Sequence, residues 1–589
     1  MKLKYFLFVL IFGLTIGSVR AQQLFFTKDR IDKIEKLVGQ DELYQQFHQH
    51  LIHTADQLCN LPVPEKKMAG RRLLNTCSTF EKYIFHLSYA YQFTHQQKYG
   101  DKIVELLDEA LSYDSWNPKH YLDVAEMALG VSIGINTLEE HPKHKTWVDQ
   151  LYRLAIVASM EERPYVKGTN NWNAVCHAGI TSSALVCQEQ YPKEASFLIH
   201  RAEKEIKNGL QSYDISGNFP EGPSYWIYGT SFNLILYDLL KVNHLDYSTF
   251  EQYAGFWKSG DCYRWSIGSN NTYYNYFDCK GTTQLSPAMA MLSQINGRPD
   301  FLTAERAVMK SFMENYGEQQ VKSSKDRLAP LFLLWLVGNS SSAEVDNDQT
   351  YFVGGGENPV VFWHHQQDGK AVFLGIKGGK GNLSHGHLDA GSFIYEKDGI
   401  RWFEDLGREN YTHIEGFGKY VWTYDSKAPR WEFFRHHNLG HNTVSVDKKA
   451  FNPDGFVALD VNQINNETVE VGADLSPLYT QEQSIKRNWF YDGEKLNMTD
   501  QFSSSLGKEL NWRFFTKAKV VVAKNGKKAT LQRDGKSLTI KLKGVKDAQF
   551  NTVLMNPHFT EMDSPNKEIS MLSIDLNAKE AGALTFIIE

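Results

Sequence analysis

The apolar residues of this chain change their spacing once, near Gly338, and that switch limits the available folds more than any other feature of the sequence. Before it, most segments carry a helical period. In Asp101–Tyr113, the residues Ile103, Leu106, Leu107 and Leu111 fall on one stripe. His120–Glu139, Trp147–Ser159 and Ser231–Leu240 read the same way. Helix-length segments recur with short polar breaks but no fixed sequence period, which predicts packed helical hairpins in a toroid or solenoid rather than a true repeat array. After the switch the texture is β. Tyr351–Trp363, Ala371–Ile376 and Ser392–Tyr395 are short apolar runs, and Asp398-Gly399 between Ser392–Glu396 and Ile400–Glu404 marks a hairpin. Asn442–Val446, Thr468–Val471, Ala518–Val522 and Ser537–Leu542 add strands, and Asp492-Gly493, Asn525-Gly526 and Asp534-Gly535 add turns. So many short strands predict an antiparallel sandwich. The polar tract Gly338–Thr350 is the linker.

Single cores stop growing at roughly 250–300 residues, so a chain of 589 needs two large domains. The expected division is a signal segment at 1–21, a helical domain at 22–337, a linker at 338–350 and a sandwich at 351–589. Lys2 and Lys4 precede the apolar run Tyr5–Gly17, and Val19 and Ala21 fit the −3 and −1 positions of a cut after Ala21. The run is short of the ~20 residues of a membrane span, and no later stretch is apolar enough to cross a bilayer. An exported protein, periplasmic or secreted, is expected. The formal net charge of −6 argues against general nucleic-acid binding, but a local basic cleft for an acidic ligand remains compatible with it. Six cysteines are spread without CxxC spacing; Cys262 with Cys279 is one candidate disulfide, and buried free thiols are the other reading.

Three segments gather polar and aromatic side chains in apolar surroundings. In Gly168–Ile180 (GTNNWNAVCHAGI), Thr169 or Asn170 caps a helix that carries Asn173 and His177 on one face and Asn171 in its first turn. A helix start of this kind can hold a carboxylate. In Asn218–Phe232 (NFPEGPSYWIYGTSF), a Gly222-Pro223 turn precedes Tyr225 and Tyr228, either of which offers a phenol for proton transfer. The third segment, Gly378–Ser392 (GGKGNLSHGHLDAGS), would in extended form send His385, His387 and Asp389 to one side. With Asp405 ending the return strand and His441 opening a later one, His387, Asp405 and His441 form a set of zinc-type ligands at strand ends.

The tract Ser384–Ser392, the hairpin ending Trp402-Phe403-Glu404-Asp405, and His441-Asn442-Thr443-Val444 resemble the heparinase II/III-like polysaccharide lyases, and the order of all three segments follows that family across nearly the whole mature chain. The resemblance implies an incomplete (α/α) toroid followed by an antiparallel β-sandwich. It implies zinc, mainly structural, on His387, Asp405 and His441. It gives His385 and Tyr225 catalytic roles, with Tyr228 as the rival phenol. Asn171 would pair with the substrate carboxylate. Relatives often place His directly after that Asn, where this chain has Trp172; His177, further along the helix, is the candidate to replace it. Asn173, Tyr228, Arg435 and Lys380 are further candidates for substrate contact, and Lys377, Arg408 and Arg430 for the basic lining of the cleft. The expected activity is β-elimination on a uronate-containing acidic polysaccharide, leaving 4,5-unsaturated ends. Two other readings stand beside it: a glycoside hydrolase using Glu221 with Glu404 or Asp405, and a non-catalytic carbohydrate-binding protein.

Overall fold

The computed structural model describes residues 23–337, 349–367, 369–479, 484–503, 508–578 and 580–589. The proposed signal segment and residues 338–348 of the proposed linker lie outside these. Among the described residues, the last helix before the break is Leu331–Leu336 and the first strand after it is Tyr351–Gly354.

The helical half is two-layered because its helices are of two kinds. Leu74–Thr94, Tyr121–Thr137, Asn171–Cys187 and Pro223–Val242 are buried on most sides and pack successively on one another. Outside them lie amphipathic helices, including Glu42–Cys59, Gln97–Ser112 and Pro192–Glu205. The stripe Ile103, Leu106, Leu107 and Leu111 is buried as its spacing requires. Buried helices inside and striped helices outside make the incomplete toroid. The inner helices approach closely: a Cβ on Gly179 would come within 2.1 Å of the Ala125 carbonyl oxygen, so only glycine fits there. The segment read as Trp147–Ser159 is less regular than a single helix; His144–Leu151 passes into a π-turn at Tyr152–Ile156.

The strands form three antiparallel sheets. The first is a five-stranded meander from Tyr351–Gly354 to Ile400–Phe403, with Asp398 and Gly399 both at positive φ in its hairpin turn. The apolar run Tyr351–Trp363 is broken within this sheet into Tyr351–Gly354 and Val360–Gln367. An eight-stranded sheet and a four-stranded sheet complete the sandwich around one apolar core.

A separate small core joins the halves. Cys262, Tyr274, Tyr276 and Phe277 from the helical half pack against Phe352, Val360, Phe362, Phe373 and Ile394 of the first sheet. Two amides pin the junction reciprocally: Asn218 Nδ2 donates to the carbonyls of Gly355 and Asn358, both at 2.8 Å, while Asn358 Nδ2 donates to that of Pro220 at 2.7 Å. All six cysteines are free thiols, so Cys262 and Cys279 do not pair. Instead Cys262 Sγ donates to Asn218 Oδ1, and Cys279 Sγ to the Glu221 carbonyl. Among the described residues no helix is long and apolar enough to cross a membrane.

Candidate functional site

The pinned junction delivers Glu221, Gly222 and Tyr225 to the sandwich. Gly222 caps the helix Pro223–Val242 at φ 83°, with Pro223 opening it. An added Cβ at Gly222 would meet Cys279 Sγ at 2.7 Å, so both the backbone conformation and the space require glycine. Two residues into the helix, Tyr225 stacks on His385, with ring centroids 3.6 Å apart and planes 13° from parallel.

His385 reaches this position by leaving the extended path. Its φ of 62° puts it in the left-handed region, which costs energy for a residue with a Cβ. The expectation that His385, His387 and Asp389 face one side is therefore corrected: His385 turns toward Glu221 and Tyr225, while His387 and Asp389 gather with His441 in a separate buried cluster. The turned imidazole is held firmly. Nδ1 donates to Glu221 Oε2 at 2.6 Å, and the backbone N–H donates to the Tyr424 hydroxyl at 3.0 Å. Trp422 stands edge-on at 5.9 Å. Nε2 has no protein partner among the described residues. Glu221 thus fixes which nitrogen is offered outward.

The Tyr225 hydroxyl shares a hydrogen bond of 3.0 Å with that of Tyr411. Burial, and secondarily the charge of Asp278, raises Tyr225 far above an ordinary phenol, while Tyr411 and Arg408 partly oppose this. The resting group is a neutral phenol. Tyr228, three residues further along the helix, takes different partners. Its hydroxyl donates to Glu126 Oε1 at 2.5 Å, and Arg327 lies over its ring, so it points into the toroid rather than toward His385.

At the start of the helix Asn171–Cys187, the N-cap is Asn170, whose side chain accepts from the Trp172 N–H. Asn171 packs against Gly229, one turn beyond Tyr225: an added Cβ at Gly229 would lie 3.5 Å from that of Asn171. Its Oδ1 is buried without a partner, so its amide is not consumed by the fold. Asn173 is. Its Nδ2 donates to the carbonyls of Tyr165, Val166 and Glu205, and its Oδ1 accepts from the Gly209 N–H. It ties helices together and is not free to bind substrate. His177 is also a core residue: buried edge-on against Tyr165, it is pushed down to about 3 by burial and then by Arg201. It does not fill the place left by Trp172. The imidazole beside Trp172 comes from His120, 5.1 Å away between ring centroids, with Nδ1 donating to Asp123 at 2.7 Å. The sequence does not single it out, because His120 reads simply as the edge of a helical segment.

The basic candidates are mostly engaged. Lys380 pairs with Glu357, and Arg435 donates to Asn566 and to the carbonyls of Arg408 and Pro565. Lys377 pairs with Asp389, and Arg430 with Asp278. Neither Lys380 nor Arg435 is thus positioned as a free substrate contact.

Behind His385 lies a buried cluster suited to a cation. His387, Asp389 and His441 offer ligand atoms all within 4.8 Å of one another. His387 Nε2 donates to Asp278 Oδ1 at 3.0 Å, and His441 Nδ1 to Asp405 Oδ2 at 3.2 Å. That leaves His387 Nδ1, His441 Nε2 and Asp389 Oδ2 buried without partners. Two imidazoles, each oriented by an outer carboxylate, with a further carboxylate oxygen, make a donor set that fits zinc. Asp405 touches this cluster through His441, so the carboxylate that shares the cluster with both histidines is Asp389, where the resemblance implies Asp405. A second grouping, Asp278 with His387 and His436, is less suited, because Arg430 already neutralises Asp278.

Residues 363–575 match the family model described as heparinase II/III-like, C-terminal. That span contains His385, His387, Asp389, Asp405 and His441. Among solved structures, a heparinase III aligns over 97% of this chain and 86% of its own, at 12% identity and a TM-score of 0.59. A second heparinase III gene product aligns over 97% and 85%, at 15% identity and a TM-score of 0.56. The heparan sulfate lyase HepC of Pedobacter heparinus aligns over 90% and 77%, at 13% identity and a TM-score of 0.56. The likeness is one of fold, with a helical toroid leading into an antiparallel sandwich. A sequence search of curated proteins found no match.

Proposed function

We propose that this protein is a polysaccharide lyase that cleaves a uronate-containing acidic polysaccharide by β-elimination. The observation that carries the reading is the stacked pair of Tyr225 and His385, one from each half of the molecule, beside the uncommitted amide of Asn171. Because the rings stack, a sugar cannot lie between them. In this reading the phenol oxygen and Nε2, at the polar edges of the stacked rings, serve one ligand.

The chemistry follows from what each group can do. The C5 proton of a uronate is made acidic only if the adjacent carboxylate is relieved of charge, and the Asn171 amide donates to that carboxylate. His385 Nε2, with Nδ1 held by Glu221, accepts the C5 proton. The electron pair forms the C4–C5 double bond as the C4–O4 bond breaks. Tyr225, neutral at rest, gives its proton to the departing O4. No water is consumed, and the new non-reducing end is a 4,5-unsaturated uronate.

Zinc belongs to the proposal, held by His387 and His441 with Asp389 or Asp405, and its support is the set of partnerless buried ligand atoms. Once bound, the ion supplies a fixed charge that ties the loop bearing His385 to the sandwich. Action in the periplasm or outside the cell rests on the leader-like sequence at 1–21. A glycoside hydrolase is less well supported, because its candidate carboxylates are committed: Glu221 to His385, Glu404 to Arg533 and Asp405 to His441.

The test is ultraviolet absorbance on a panel of acidic polysaccharides. Elimination yields a conjugated, absorbing product; Tyr225→Phe and His385→Ala should each abolish it while leaving binding in place. New reducing ends without absorbance would sink the lyase reading.

A further inference from the structure

Most of the cations that the sequence nominates for the cleft are already paired. Of the five basic residues near the motifs, only Arg408 lacks an acidic partner among the described residues. Two lysines from other elements join it. Lys280 follows Cys279 in the loop that packs on Gly222, and its backbone N–H donates to Ser224 Oγ at 3.2 Å, one residue before Tyr225. The Arg408 N–H donates to the Cys279 carbonyl at 3.2 Å, which fastens the two basic residues to adjoining backbone. The Arg408 guanidinium lies over the ring of Tyr411, the partner of Tyr225, at 5.8 Å. Lys325 comes from the turn before the last helix of the toroid. Its neighbours do not neutralise it: Asp326 is paired with Lys82, and Arg327 occupies Glu81 and Glu126.

Lys280 and Arg408 stand on adjoining backbone beside Tyr225 and Tyr411, and the charge of Lys325 reaches the Lys280 ammonium, so the like charges repel one another in the free protein. Partial burial first, and then Arg408 and Lys325, push the Lys280 ammonium down to about 8. No salt bridge neutralises any of the three among the described residues, so the counter-charge is left to a ligand.

We propose that Lys280, Lys325 and Arg408 form an anion subsite beside Tyr225, which takes a second acidic group of the polysaccharide, a sulfate ester or a carboxylate, on the sugar next to the one that loses its C5 proton. The inference rests on the lyase reading for its substrate, although not for the existence of the site. Asn171 would serve the first carboxylate and these three cations the second group, so the cleft favours polymers in which neighbouring sugars both carry charge.

The experiment uses the full-length protein and two matched uronate oligosaccharides, one sulfated and one desulfated. Binding is titrated calorimetrically in the Tyr225→Phe background, so that nothing is cut, and KM and kcat are measured with Tyr225 intact. Lys280→Ala, Lys325→Ala and Arg408→Ala should each weaken binding about tenfold, or about 1.4 kcal/mol, and raise KM more than they lower kcat. Lys543→Ala, on a distant strand, is the control. A loss confined to the sulfated ligand identifies a sulfate; an equal loss on both identifies a carboxylate. If all three variants bind both ligands within twofold of their parent, the subsite is refuted, even where unsaturated product still forms. If no polymer is eliminated but the three variants still lose affinity, the lyase reading falls and the subsite stands. Thermal midpoints of the variants, with Lys325→Met as a second choice, separate lost binding from lost folding.

Discussion

His177 gives the sharpest quantitative test, because a histidine on the helix that carries Asn171 invites a catalytic role and the structure assigns it to the core. Its imidazole is buried, its Nε2 has no partner, and its folded pKa is pushed down to about 3 from the ordinary 6.5 by burial and then by Arg201. Between those two values the unfolded chain binds a proton that the folded chain refuses. The resulting stability is therefore complete above 6.5 and is lost as pH falls toward about 3. At about pH 5 the displacement from 6.5 amounts to ~1.5 units of forgone protonation, or about 2 kcal/mol. His177→Phe retains the ring contact with Tyr165 and removes the titration. Urea unfolding of the parent protein should show it about 2 kcal/mol less stable at about pH 5 than at about pH 8 from this group alone, and the variant should lack that part of the slope. Turnover per folded molecule should stay within a few-fold of the parent. A variant with unchanged pH dependence, or one that folds well but loses ~100-fold in kcat, would refute the reasoning.

Three further outcomes are expected. Glu221→Gln keeps a hydrogen bond to His385 but removes the charge behind it, and kcat should fall about a hundredfold or more with little change in KM or thermal midpoint. Gly222→Ala places a methyl group against Cys279 Sγ at a positive φ, so it should cost about 1–3 kcal/mol in urea unfolding and lower kcat by tilting Tyr225. Elemental analysis of the purified protein should find one zinc per chain, chelation should lower the thermal midpoint, and His387→Ala or His441→Ala should lose the ion. Comparing Asp389→Asn with Asp405→Asn shows which carboxylate binds it.

The sequence exposes whatever is encoded locally. The change of period near Gly338, the stripe from Ile103 to Leu111 and the Asp398-Gly399 turn each depend on a few adjacent residues, and the structure contains all three elements. Strands with charged interiors are not legible in this way. In Ile485–Tyr491 the inward positions include Arg487, which pairs with the equally buried Asp500 of Leu496–Phe502, so neither strand shows clean apolar alternation. At the site, the motif residues could be read, but their partners could not. Glu221 lies 164 residues from His385, and Asp278 lies 109 from His387. Nothing near Asp278 in the sequence marks it as the carboxylate that orients a histidine. The left-handed turn at His385 was hidden for another reason: a histidine followed by glycine and a second histidine reads as strand-like until the backbone is seen.

The reciprocal amide pins at Asn218 and Asn358 sit three residues or fewer from Glu221 and Pro359 on their two sides, at the seam where phenol and imidazole meet. Under the proposed reading, turnover is therefore a gauge of docking. Either half could regain its helices or strands during refolding and remain inert, and the last signal to return would be activity. Any graft of one half onto a relative's other half would succeed or fail at this seam, before the identity of a single proton-transfer group mattered.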